Sequence, residues 1–530
     1  LPLVGSLIAT NQQQRQLASL EIGGVPLADF AAVAREELHR DAVAYTSAYR
    51  HVTSSLATPK SSFLLSGHQP ELFHSGVWYK NYLLSNLAQQ HDALAVNLII
   101  DNDTCTSTHI RVPTGTPEAP RLESVAFDLS VTPIVPYEQR QLSDRATFHT
   151  FATRVRETIG QLVPNPLVDE LWQHAVSAEN RSIHLGQLLA EARHRLEGDI
   201  GLETLEVPWS VVCDSRSFQR FFAHFMHHLP ALHACYNQAV LDYRAEHGLR
   251  SQSHPVPLLR RNGSWWETPF WIWSDATPQR QPLWIEQSGS MWRLRGDSTI
   301  EATGADTPLT IEVGSAESGL PYETIVDQLR DLRHQGIKIR SRALITTFYA
   351  RTVLSDLFLH GIGGATYDQV TNVLIERMWQ LPAPRFVAAS ATMLLPIPRP
   401  AVDLDDLRQV SGLLRDLWYH PERHLEWSDE TLLSSMEVDR LTAEKRGWLD
   451  GNVCGIEPRP HDMSFAKQRH EAISRINAAL RTSLQHTREQ LIEERESLQQ
   501  LLRVRQALGS REFSFCLFPY DMLVPALRKL

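Results

Sequence analysis

The tightest constraint on the fold lies between residues 61 and 103. There SSFLLS is followed by the turn-rich GHQPELFHSG, a helical pattern from Val77 to about Gln90, and an apolar run from Leu94 to Ile100 that ends in DNDTCTSTH. Strand, loop, helix and strand in that order make a βαβ unit, which demands a parallel sheet with a right-handed crossover. The predicted fold class is therefore α/β. Function in such a sheet collects beyond the carboxyl ends of its strands, so the loops after SSFLLS and after Ile100 are the first places to look for chemistry.

A chain of 530 residues exceeds one compact core and predicts two to four units at about 100–200 residues each. Residues 1–60 read mainly as helix, with Phe30, Val33, Ala34, Leu38, Val43 and Tyr45 recurring among charged residues. Residues 61–400 form the predicted core, interrupted by a mixed insertion over about 110–207 and a Trp-rich β insertion over about 254–300, with turns at Asn262-Gly263 and Ser288-Gly289. VPWSVVCDS, RSRALITTF and PRFVAASATMLL read as further core strands, and FLHGIGGATYDQV reads as a glycine-rich turn opening into a helix. Residues 401–530 read as a helical domain. From Phe465 to Leu508 there is no glycine or proline, and Ile473, Ile476, Leu480, Leu484, Leu491, Leu498, Leu501 and Leu508 recur at coiled-coil spacings, which predicts a coiled-coil arm. The tail REFSFCLFPYDML is too apolar for a free end and is expected to pack on another domain or a partner subunit.

Charge and cysteine content narrow the partners. With 51 basic and 61 acidic residues the formal charge is −10, which supplies no general attraction for phosphate backbones, and no nucleic acid partner is expected. Cys105, Cys213, Cys235, Cys454 and Cys516 are odd in number and lack CxxC spacing, so neither a zinc ribbon nor a disulfide framework is indicated. A reducing, cytoplasmic location is the expectation. The opening LPLVGSLIATNQQQRQ is a weak signal-peptide candidate, no stretch approaches a membrane span, and Leu1 in place of Met hints at a trimmed start.

Three constellations could carry chemistry. The first is the loop Gly67-His68-Gln69-Pro70-Glu71-Leu72-Phe73-His74-Ser75-Gly76, which can aim amides, a helix N-terminus and two imidazoles at an anion, or exchange protons near neutral pH. Its bland alternative is a tight turn whose histidines only satisfy hydrogen bonds. The second, Asp101-Asn102-Asp103, can bind Mg²⁺, a ribose hydroxyl or an amine, or be an Asx turn. The third runs from His360 through Gly363, Gly364 and Tyr367 to Asp368; its glycines let a ligand approach the backbone, although it is neither GxGxxG nor a P-loop. The tryptophans 265, 266, 271, 273, 284 and 292 read more simply as a small β core than as a stacking platform. His224, His227, His228 and His233 lack a further ligand pattern, and no metal is predicted.

In their order along the chain these blocks resemble the bacillithiol cysteine-adding ligases: GHQPELFHSGVWYKN, the strand ending in DND, VPWSVVCDS, HPVPLL with its hairpins, GIGGATYDQV, PRFVAASATMLL and the coiled-coil end. The resemblance implies a Rossmann-like core similar to class I nucleotidyltransferases and aminoacyl-tRNA synthetases, a dimer formed through the C-terminal coiled coil, and ligation of cysteine to a glucosaminyl malate, with ATP or ADP as the possible cofactor. It aligns Gly67, His68 and Gln69 with a Gly-Gln-Gln turn, Asp101 and Asp103 with an acidic stretch, Gly363-Gly364 with a glycine turn, and His74-Ser75-Gly76-Val77 with the class I signature. The chain departs from the family at His68 for glutamine, at Thr104 for an acidic residue, in lacking a histidine in the DND stretch, and at Ala365-Thr366 for Pro-Gly.

The leading expectation is a C–N bond-forming ligase acting on small molecules. His68, His74, Gln69, Asp101 and Asp103 are its catalytic candidates, and Gly67, Gly76, Asn102, Gly363, Gly364, Tyr367 and Asp368 its substrate-binding candidates. The alternative is a non-catalytic dimeric scaffold that binds a nucleotide or metabolite. A nucleotidyltransferase is disfavoured because the chain has no KMSKS-like loop.

Overall fold

A computed structural model describes residues 3–288, 291–297, 310–314, 322–427, 433–451 and 463–529. Leu1, Gly289 of the second hairpin turn and Cys454 lie outside the described residues. The chain forms two compact units: Leu1–Thr114 with Glu123–Pro396 and Arg511–Leu530, and Gly115–Leu122 with Ile397–Ser510.

The first unit is α/β. Its parallel sheet contains β1 (Phe63–His68), β2 (Leu94–Ile99), β3 (Leu205–Pro208), β4 (Leu357–His360) and β5 (Val387–Ala388). Their lateral order is β5-β4-β1-β2-β3, and every neighbouring pair is parallel. The chain therefore moves outward from β1 through β2 and β3, then returns to the other side of β1, so the winding reverses between β1 and β4. Successive strand residues feed opposite faces, as the pleat requires. Leu65, Val96, Leu98 and Val207 join a core with Phe30 and Leu38 of the helix Leu27–Ser47. Leu64, Ala95 and Leu359 join another core with Leu83, Leu84 and Leu87 of α1 (Ser75–Gln90). Apolar side chains on both faces explain why these strands read as continuous runs.

Two strand assignments and one turn need correction. Only Leu205–Pro208 is extended in the region of VPWSVVCDS, and Trp209–Cys213 is a short helix. The amide and hydroxyl of Ser210 both donate to Asp101, which turns the chain over the end of β2 instead of prolonging β3. Ala343–Tyr349, inside RSRALITTF, is helical, and the core strand is Leu357–His360, in the segment read as a turn. A short apolar run does not reveal its own period, which is why the two were exchanged.

A second, antiparallel sheet has the order Thr310–Gly314, Met291–Arg295, Gln281–Ser288, Trp265–Ser274, Ile337–Ser341, with Arg261–Asn262 paired to Trp265–Ser274. Trp273, Trp284 and Trp292 are buried in it, whereas Trp265, Trp266 and Trp271 are half-buried. Gly263 takes φ +61° at the Asn262-Gly263 turn.

The second unit is helical. Leu404–Tyr419 packs on Gln485–Leu508, and Ser435–Asp450 packs on Met463–Arg481 around Leu441, Ile476 and Leu480. The run from Phe465 to Leu508 is two helices, interrupted by a 3-10 turn at Thr482–Leu484. Residues 511–530 belong to the first unit, where Phe515 lies 4.6 Å from the Trp78 ring and 5.7 Å from that of Phe73. Among the described residues no helix is long and apolar enough to cross a membrane.

Candidate functional site

Beyond the carboxyl ends of β1, β2 and β4 lies a cavity of about 370 Å³, within the range of small-molecule sites. Gly67 lies near the end of β1 and Gln69 just after it, Ile100, Asn102 and Asp103 follow β2, and Phe358 and His360 belong to β4. The antiparallel sheet and the chain after it complete the wall with Trp271, Arg280 and Ser341 through Leu344. The cavity thus sits where the winding reverses, the position at which the loops of two oppositely wound halves part and leave a crevice.

Polar groups hold this wall in place. Asp103 accepts from Gln69 Nε2 at 2.8 Å and from Arg280 Nη1 at 2.9 Å. Arg280 also donates to the Asn102 carbonyl and to Thr104 Oγ1. The guanidinium carbons of Arg280 and Arg342 lie 4.8 and 4.2 Å from the Trp271 ring centroid, so a cationic and aromatic surface faces the ligand space. Arg342 donates from Nε to the Phe270 carbonyl and from Nη2 to Glu267, which leaves Nη1 without an acceptor among the described residues. Asn102 is 4% exposed and donates from Nδ2 to the Ser341 carbonyl at 2.8 Å, while its Oδ1 has no partner. Rotating the amide would place Oδ1 against the Ser341 carbonyl, so the orphaned acceptor is fixed in orientation. A buried acceptor left unmade costs about 1–3 kcal/mol.

Of the residues singled out by sequence, Gly67, Gln69, Asn102 and Asp103 come together on this cavity. Asp101 lies behind them, 3% exposed, accepting from Ser210; burial, with Glu138 beside it, pushes its carboxyl up to about 7. His68 packs edge-on against Phe73 at 4.9 Å, with Nδ1 3.1 Å from the Gln69 carbonyl. Burial and the neighbouring Lys80 push it down to about 3, so the ring is neutral at physiological pH. An Nδ1–H donated to that carbonyl leaves Nε2 as an acceptor. His74 caps α1: its Nδ1 accepts from the Gly76 amide at 3.1 Å, and Nε2 stands 3.9 Å from Glu512. Burial lowers its pKa. Gly76 is required by packing, since a Cβ there would meet the Ala391 carbonyl oxygen at 2.3 Å.

The glycine segment is the first turn of α2 (Ile362–Trp379), not a loop ahead of it. Gly363 faces open space, whereas a Cβ on Gly364 would sit 3.1 Å from His360 Nδ1. Tyr367 is exposed, edge-on to His254. Asp368 is buried and accepts from Arg351, with His360 Nε2 at 2.8 Å; these two outweigh the burial penalty and hold its carboxyl below the usual range.

Sequence reasoning read Trp271 as β core and did not single out Arg280, Arg342 or Lys80. The first three arrive from a sheet whose docking no local pattern encodes. Lys80 sits in a helix where a lysine normally faces solvent, yet it is 3% exposed and donates to the Gly67 carbonyl at 3.0 Å. Burial, with Arg193 nearby, lowers it to about 8. Elsewhere, His194, Glu197 and Glu206 bring ligand-type atoms within 4.8 Å of one another. Arg193 bridges both carboxylates there and supplies the positive charge that an ion would bring. No protein-family model matches the chain, and no curated protein matches it.

Proposed function

We propose that the cavity is the substrate site of a small-molecule ligase with a Rossmann-like core, which joins an amino acid or similar carboxyl compound to an amine, as the resemblance to bacillithiol cysteine-adding ligases implies. The carrying observation is a cavity at the reversal of winding whose wall brings together Asn102, Asp103, Trp271, Arg280 and Arg342. ATP or ADP suits the same wall: a ring face for Trp271 and an oxyanion for the guanidinium of Arg342. In this reading Gln69 and Arg280 hold Asp103 in place to receive the amine.

Calorimetric titration of the full-length chain with ADP, ATP, cysteine and other amino acids, and a sugar malate tests the reading, followed by mass-spectrometric detection of a condensed product. At least one compound is expected to bind, and Asn102→Ala to weaken it about five- to tenfold, the worth of one hydrogen bond. If the wild-type chain binds none of them, the cavity is not the site of this chemistry. A second reading, a nucleotide- or metabolite-binding scaffold dimeric through its C-terminal helices, draws support from two particular residues. Asp103 is already engaged by Gln69, Arg280 and the Thr104 amide, and His74 is spent as a helix cap. Ligand binding with no product from any amine and acid pair favours it.

A further inference from the structure

We infer that Lys80 and the first turn of α2 form an anion subsite beside the cavity, next to Gly67 and His360 of its wall, which receives the carboxylate or phosphate group of the ligand. The inference rests on the cavity being a ligand site and names the group recognised beside that wall.

Lys80 is 97% shielded from solvent by its 3% exposure, yet no carboxylate lies within 4.0 Å of its ammonium among the described residues. Among the described residues its one acceptor is the Gly67 carbonyl, which leaves two of three N–H donors for a ligand. Buried ammonium groups are ordinarily paired or neutralised because removing a charge from water is costly. The charge of Arg193 adds to that cost. The imidazoles of His68, His74 and His360 are each driven toward the neutral form by burial and in part by the Lys80 charge, so they offer it no counter-charge.

The stem of Lys80 runs past Gly361, where a Cβ would lie 3.9 Å from Cδ and 4.0 Å from Cε. Gly361 is the N-cap of α2 and offers no side-chain cap. The amides of Ile362, Gly363 and Gly364 have no acceptor within the helix, and the helix dipole adds positive potential at the same place. Gly67 and His360, which flank the ammonium on β1 and β4, both line the cavity. An oxyanion entering there would meet an unpaired ammonium and a free helix N-terminus together, on either side of the switch point. Two independent features, one side chain and one backbone terminus, thus ask for the same ligand group.

Calorimetry on the full-length chain with inorganic phosphate, ADP and L-malate tests this, comparing wild type with Lys80→Met and Lys80→Gln. Removing an unpaired buried charge should not lower the melting temperature, so both variants are expected to fold. Wild type is expected to bind at least one probe, and each variant to bind it about ten- to hundredfold more weakly, as for a lost charged hydrogen bond. An anion raises the pKa of the ammonium from about 8, so binding near pH 8 to 9 should take up protons, detected with buffers of different ionisation enthalpy. That uptake should vanish in Lys80→Met, which a purely structural lysine would not cause. The probe that responds identifies the group: malate a carboxylate, phosphate or ADP a phosphate. Equal affinity in wild type and both variants, with Asn102→Ala still impaired, overturns the subsite and leaves the cavity reading standing. No saturable binding of any probe by wild type overturns both.

Discussion

At the scale of single residues, the loops after β1 and β2 were legible because a βαβ pattern fixes where carboxyl ends must lie. What each side chain does there was not. His68, Gln69 and Asp103 look alike as loop polar residues; only packing makes one a neutral ring against Phe73 and the others a hydrogen-bonded pair. Asp101 shows how environment divides neighbours. Its carboxyl is raised by burial to about 7, against an unfolded value near 4. The folded state then holds the proton more tightly, so the stabilisation is complete below about pH 4 and is lost as pH rises through 7. Asp101→Asn keeps an acceptor for the Ser210 amide and can donate to its hydroxyl. It should flatten the fall of urea midpoint between pH 4 and 7, by about 1.4 kcal/mol for each pKa unit removed. An unchanged pH profile would mean that Asp101 does not titrate in this window. His74→Ala removes the cap acceptor of α1 and should cost about 1 kcal/mol in denaturant unfolding.

At the scale of elements, helices and strands with a clear period were readable, while short apolar runs were not. Ala343–Tyr349 and Leu357–His360 exchanged identities because seven and four apolar-rich residues suit a buried turn of helix as well as a buried strand. Their placement is decided by a polar anchor that no periodicity reveals. Asp356, fully buried just before β4, accepts from Arg15 and Arg35 and from the Phe63 amide at the start of β1. One carboxylate therefore ties both amino-terminal helices to the two strands that flank the switch point. The paired guanidiniums lower its pKa against the opposing effect of burial. This contribution is present above the unfolded carboxylate value and is lost as pH falls through the folded one. Asp356→Asn leaves two arginines facing an uncharged group and should destabilise the first unit by about 3–5 kcal/mol. Thermal unfolding at pH 7 checks it; a variant as stable as wild type would show the anchor to be dispensable.

At the scale of the whole molecule, the apolar tail and the glycine-free run pull in different directions. The tail returns to the first unit, where Phe515 is fully buried against Trp78, so deleting everything from Phe465 onward would strip that core as well as the helical unit. Such a truncation would aggregate whether or not the helices join two chains. The proposed dimer calls for a cleaner perturbation. In Gln485–Leu508 the side chains of Leu491, Leu498 and Leu501 are half-buried, at spacings of seven and three, while Val504 and Leu508 are buried. Half-buried leucines at heptad spacing are the positions a second helix would cover. Leu491→Glu with Leu498→Glu leaves the tail intact and places charge on that stripe. Sedimentation equilibrium is expected to give a dimer for wild type and a monomer for the double variant, with the ligand affinity of the first unit unchanged. A monomeric wild type, or a double variant that remains dimeric, would remove the C-terminal helices from the assembly and leave the stripe as the edge of an intrachain bundle.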